Sequence, residues 1–120
     1  MSEPRSQNVS HVRIPTLDRI AAGGQVWARV AEKHGVTNRL PPWKTSLDGM
    51  CDALDSNGEA LPLLARRRDE DFLSHAIYSA LPAPESQLVA LAHSLLARGV
   101  IDEEALAGRI AAVRARLEAA

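Results

Sequence analysis

The sequence predicts an all-α protein of five or six helices that ends in an αα-hairpin and contains no β-sheet. The 120 residues include 20 Ala and 15 Leu, two residue types that favour helices. Apolar residues recur at steps of three and four in several segments, and no segment shows the alternating pattern of a strand. Prolines and glycines separate these segments, as expected at helix ends.

The N-terminal third is predicted to contain a tail, a helix and a connector. Residues 1–12 are polar and aperiodic, so we expect a flexible tail. Residues 13–42 contain an N-terminal helix over 16–34, followed by a proline-rich connector that cannot continue a helix. Gly23 and Gly24 lie inside the helical pattern and indicate a break or a close approach by another helix.

Residues 43–120 carry the remaining helices. A helix begins at about Trp43 and presents an apolar stripe consisting of Leu47, Met50, Cys51 and Leu54. A charged run over 66–71 follows, and the helical pattern resumes beyond it until Pro82.

The last two helices form the predicted hairpin. The first ends at Gly99, and Asp102 is a good N-cap for the second. Glu103 and Glu104 suit the positive end of the second helix dipole. The apolar stripe of this last helix is Leu106, Ile110, Val113 and Leu117.

Charge and composition exclude several function classes. Fourteen basic and fifteen acidic residues give a net charge of -1, which lacks the basic excess of a nucleic-acid or anionic-membrane binder. No apolar run reaches the length of a membrane span, and the N-terminus has no apolar signal region. We therefore expect a cytoplasmic protein with neither nucleic acid nor membrane as a partner.

Histidine and cysteine give no metal-site pattern. His11, His34, Cys51, His75 and His93 are all at least 15 residues apart, and none has the spacing of a metal-binding motif. Cys51 is interpreted as a small buried apolar residue, and His93 as a boundary residue on a helix.

The charged run allows two interpretations. On a helix Arg66 reaches Glu70 and Arg67 reaches Asp71, which would make a solvated face with weak ion pairs. Alternatively, one arginine projects into a partner protein and binds oxyanions through its planar fork.

Several motifs from Trp43 onward occur in the order found in one protein family. Trp43 opens a helix, Arg67 and Asp71 occupy an Arg-x-x-x-Glu position, Tyr78 follows, and the stretch over 95–104 reads Leu-Leu-Ala-Arg-Gly-Val-Ile-Asp-Glu-Glu. This order resembles the N-terminal helical half of the nitrile hydratase β subunit and the related small subunit of thiocyanate hydrolase. The resemblance covers 43–120, which we expect to form the family-like helical domain.

The resemblance implies a shared mechanism. In the family, an α-type subunit holds cobalt or iron through a loop of partly oxidised cysteines, and the β-type subunit covers that loop and donates arginines to it. Arg67 would take this role and Asp71 would orient it, while Trp43 and Tyr78 would lie at the interface. The chain itself would bind no cofactor or metal, and it would be active only as part of the enzyme complex.

Three functions remain open within these observations. The full β subunit also has a C-terminal β-barrel, so the chain is expected to be a split β-type subunit whose barrel is a separate subunit. Alternatively, it is similar to the nitrile hydratase accessory protein, which escorts the α subunit and helps load its metal. A third alternative is a helical interaction module unrelated to nitriles.

Overall fold

The structure, a computed structural model, describes residues 12–23, 27–37, 40–56 and 63–119. These residues form six α-helices and no strand, which confirms the predicted all-α fold. The helices are α1 (Pro15–Ala22), α2 (Trp27–Lys33), α3 (Lys44–Ser56), α4 (Leu63–Phe72), α5 (Glu85–Ala97) and α6 (Glu103–Ala119). The predicted tail over 1–12 lies outside the described residues except for Val12.

The helix predicted over 16–34 is two helices. Gly23 caps α1 with an extended backbone, φ -75° and ψ 158°, so the helix stops there. Beyond α2, Gly35 has φ 71°, a left-handed conformation that glycine adopts without a steric penalty. The Val36 amide then donates to the Ala31 carbonyl at 2.8 Å, which closes the C-terminus of α2.

One apolar core joins the N-terminal segment to the rest of the chain. Its buried members come from before α1, from α1, from the π turn and connection that follow α4, and from α5: Ile14, Leu17, Leu73, Tyr78, Leu81, Val89 and Ala90. The region over 13–42, separated from 43–120 by its sequence pattern, therefore contributes to the same core. This contact gives α1 a structural role that its sequence did not suggest.

A π turn over Leu73–Ile77 continues α4 and positions a buried polar pair. The Tyr78 amide donates to the Leu73 carbonyl at 2.8 Å, the wider repeat of a π turn. This turn places the Tyr78 hydroxyl 2.7 Å from Nδ1 of His93, whose side chain is fully buried. The boundary position predicted for His93 is therefore wrong. Tyr78 is likewise buried, with 3% of its surface exposed, and its hydroxyl is hydrogen-bonded inside the core, so its expected place at an interface is not met.

The two last helices are joined by residues 98–102, and they pack on the domain near that turn. The Asp102 carboxylate accepts from the Ala105 amide at 2.9 Å, which confirms the predicted N-cap. Glu103 accepts from the Thr16 amide at 3.1 Å, and Leu106 packs against the core. The stripe then becomes exposed, since Leu117 keeps 68% of its surface. Helix α6 has no buried residue and does not pack along α5, so the antiparallel packing expected of an αα-hairpin is limited to the turn, and α6 leaves the domain towards its C-terminal end.

Among the described helices, none is long and apolar enough to cross a lipid bilayer.

Candidate functional site

A polar cleft of about 1150 Å³ lies between α3, α4 and the start of α5. Helix α3 contributes Asp48, Cys51 and Asp52 to its lining, and α4 contributes the charged run over 66–71 except Asp69. The apolar part of the lining comes from Leu47, Leu64, Leu81, Ala83, Ala90 and Leu91. The lining of the cleft therefore combines apolar residues with charged residues of both signs.

Arg66 is the buried charge of the cleft, with 1% of its surface exposed. Its Nη1 donates to both carboxylate oxygens of Glu70 at 2.8 Å, and its Nη2 donates to Asp55 at the end of α3. A buried guanidinium is tolerable only when it is paired and hydrogen-bonded in this way. Among the described residues Nε of Arg66 has no hydrogen-bond partner. The predicted pair of Arg66 with Glu70 is thus present within α4, but Arg66 is buried and does not lie on a solvated face, and its contact with Asp55 connects α4 to α3.

A second ion pair connects α4 to α5. Asp69, one turn after Arg66 on α4 and also buried, accepts from Nη2 of Arg98 at 2.5 Å. Nη1 of Arg98 donates to the hydroxyl of Ser94, a fully buried residue of α5. The Ser94 hydroxyl also lies near the Glu70 carboxyl and lowers its pKa. The two ion pairs therefore form one network that holds α3, α4 and α5 together.

Two titratable groups of the cleft have shifted pKa values. Burial raises the pKa of the Glu70 carboxyl above its ordinary value, and the neighbouring Arg66 charge offsets only part of that shift. Burial also raises the pKa of the Cys51 thiol, and the negative charge of Glu70 adds to the effect. Cys51 lines the cleft and is half-buried, but its thiol stays protonated at neutral pH, which makes it a poor nucleophile.

Arg67 follows Arg66 in the sequence, but its side chain is exposed and not buried. Its side chain is 63% exposed, and its ion pair in the described chain is a 3.6 Å contact between Nη2 and Asp55 Oδ2. No ion pair joins Arg67 to Asp71 in this part of the chain, although both residues line the cleft. Asp71 is exposed, and its backbone carbonyl lies 2.8 Å from Nδ1 of His75. The expectation that Asp71 orients Arg67 is therefore not met within this chain, and Asp55 is the contacting carboxylate.

Trp43 lies beside a second, smaller groove of about 270 Å³ with an almost entirely apolar lining. Ile20 of α1, Met50 of α3 and Leu88 of α5 line the same groove. The indole of Trp43 is half-buried, so part of it is accessible to a partner. Its predicted place at an interface stays a prediction.

Sequence reasoning missed the buried part of the network. Arg66 and Glu70 have the Arg-x-x-x-Glu spacing with glutamate itself at the last position. They lie one residue before Arg67 and Asp71, the pair that the motif order indicates. Asp55, Asp69 and Arg98 come from three separate segments, and no local pattern connects them.

No group of three or more His, Cys, Asp or Glu residues in the described chain is arranged to hold a metal ion. No protein-family model, curated protein or solved structure matches this chain.

Proposed function

We propose that the chain is the small β-type subunit of a metal-dependent nitrile hydratase or thiocyanate hydrolase. It covers the metal loop of an α-type subunit and donates Arg67 to the oxidised cysteines of that loop. The observation that carries this proposal is the freedom of Arg67, which is 63% exposed on the cleft and held by one 3.6 Å contact to Asp55. A guanidinium in this setting can exchange that contact for an oxyanion of a second protein.

The buried network of ion pairs supports the proposal because it holds the backbone of Arg67 in place. The ion pairs of Arg66 and of Arg98 attach α4 to its two neighbouring helices, so the backbone of the charged run is held in place. The guanidinium of Arg67 stays exposed, with its 3.6 Å contact to Asp55, while its backbone is anchored. A guanidinium that hydrogen-bonds small, fixed oxyanions is positioned most precisely when its backbone is rigid.

In the proposed complex, metal bound by the α-type subunit supplies Lewis-acid activation of the nitrile or thiocyanate. Arg67 hydrogen-bonds the sulfenate and sulfinate oxygens of the partner's cysteines and keeps them anionic and oriented. The planar fork of arginine offers parallel donors to such groups, whereas a lysine offers a single point charge. A separate subunit with the β-barrel completes the enzyme.

The proposal is tested by replacing Arg67 with lysine in the reconstituted complex of this chain with an α-type and a barrel-type subunit. We expect Arg67→Lys to lower turnover by more than about tenfold while metal content and assembly stay unchanged, because the charge remains but the fork is lost. The matched control is Arg29→Lys on α2, which is exposed and does not line the cleft. Equal turnover for wild type and Arg67→Lys would overturn the role of Arg67.

A further inference from the structure

The last three turns of α6 present a narrow apolar seam that leaves the domain. Leu106, Ile110, Val113 and Leu117 follow one another at steps of four, three and four, which are the d, a, d and a positions of a heptad. Leu106 packs against the core, the next two are half-buried, and Leu117 is 68% exposed. Exposure of the seam thus rises towards the C-terminal end of the helix.

Basic residues flank this seam on both sides. Arg109 and Arg116 occupy the two g positions beside it, and Arg114 occupies the e position on the other side. All three are exposed, and none has an ion pair with a described residue. Over 109–119 the charge is three arginines minus Glu118, or +2, whereas the whole chain has a net charge of -1. Positive charge is therefore concentrated on the part of α6 where the seam is exposed.

The flanking charges disfavour a second copy of the chain as the occupant of the seam. In a parallel pair, a g residue faces the e residue five positions later on the other helix, which would bring Arg109 against Arg114. In an antiparallel pair g positions face g positions, which would bring Arg109 against Arg116. Either arrangement of two identical helices places like charges together.

The width of the seam disfavours a lipid surface. A helix that lies in a membrane interface has a broad apolar face, with aromatic anchors and basic residues at its edge. The seam of α6 is restricted to a and d positions, and 103–119 contains no aromatic residue. A seam restricted to a and d positions is typical of helix pairing.

We propose that residues 109–119 of α6 dock an acidic amphipathic helix of a partner protein. Its apolar residues would complete the seam at Val113 and Leu117, and its acidic residues would face the three arginines. Opposite charges at e and g positions set partner choice in paired helices, so this surface selects a partner by the sign of its charge. The surface lies outside the cleft lining, and the proposal does not depend on the role of Arg67.

The test uses the full chain and two fluorescent synthetic peptides of about three heptads, with leucine at a and d positions. One peptide has glutamate at e and g positions and the other has lysine, so each repels itself and stays monomeric. Fluorescence anisotropy at low salt should show that the glutamate peptide binds at least about tenfold more tightly than the lysine peptide. Similar affinities for the two peptides, or no binding of either, would overturn the proposal.

Variants then locate the binding surface. Leu117→Ser should weaken binding of the glutamate peptide at least about fivefold without changing the fold, since this side chain is largely exposed. The double variant Arg109→Glu, Arg116→Glu should reverse the preference in favour of the lysine peptide. The control with the same change in net charge is Arg29→Glu, Lys33→Glu on α2, which should preserve the original preference. If both double variants came to prefer the lysine peptide, binding would depend on the net charge of the chain, which would contradict a docking surface on α6. Binding of α6 to anionic vesicles, or a dimer that Leu117→Ser dissociates, would contradict the proposed occupant.

Discussion

Removing the charge of Asp69 should destabilise the fold more than any comparable change on α4. Asp69 and Arg98 retain 4% and 9% of their side-chain surface, and their charged atoms are 2.5 Å apart. Asp69→Asn removes the carboxylate that pairs with the buried Arg98 guanidinium, which then keeps its hydrogen bond to the neutral hydroxyl of Ser94. Breaking a buried pair in this way costs about 3 kcal/mol, which corresponds to a decrease in Tm of about 10 °C for a chain of this size.

The assay is urea unfolding followed by circular dichroism, with the Tm as a second readout. The matched control is Asp71→Asn, an equal chemical change two residues further along α4 at an exposed site, which should alter the free energy of unfolding by less than about 0.5 kcal/mol. A second variant, Asp69→Leu with Arg98→Met, removes both charges and should be more stable than Asp69→Asn alone. Equal effects of Asp69→Asn and Asp71→Asn would refute the role of the buried pair.

Three further predictions follow from the shifted pKa values. The raised pKa of Glu70 means that the folded chain binds its proton more readily than the unfolded chain, so stability from this group is present below about pH 4.5 and is lost as pH rises through the folded pKa. We therefore expect the free energy of unfolding of the wild type to fall relative to that of Glu70→Gln as the pH rises from about 4 to 7. A difference between the two that does not change with pH would contradict the raised pKa. Burial raises the pKa of Tyr78 to about 12. Because Tyr78 is the single tyrosine, the absorbance of tyrosinate should appear only above about pH 11 or on unfolding. Ionisation near pH 10 in the folded chain would be incompatible with the buried position of Tyr78. Cys51, the single cysteine, should react with a thiol reagent at pH 8 several-fold more slowly in the folded chain than in urea, and equal rates would show that burial does not hold its proton.

The helices and their ends were largely predictable because they depend on local patterns. The steps of three and four in the apolar residues, the N-cap Asp102 and the glycine after α2 each act within a few residues of the chain. The break at Gly23 was also indicated, since glycine costs stability inside a helix.

The buried polar interior was not predictable, because it depends on contacts between distant segments. His93 has the sequence neighbours of a boundary residue, and only the π turn that brings Tyr78 to it makes complete burial tolerable. Asp69 and Arg98 are 29 residues apart, and each alone is typical of an exposed helix position. In the candidate site, Arg66 and Arg67 are adjacent in the sequence and both contact Asp55, and only the packing of α4 in the fold makes Arg66 the buried one.

The proposed membership of a metal enzyme complex is tested most directly by purification through a tag on this chain. The chain is co-expressed with an α-type and a barrel-type subunit, and the metal and subunit content of the purified material is measured. We expect a stable, active complex with about one cobalt or iron per copy of this chain. Recovery of this chain alone would contradict membership, and recovery with only a metal-poor α-type subunit would favour the metal-loading accessory function.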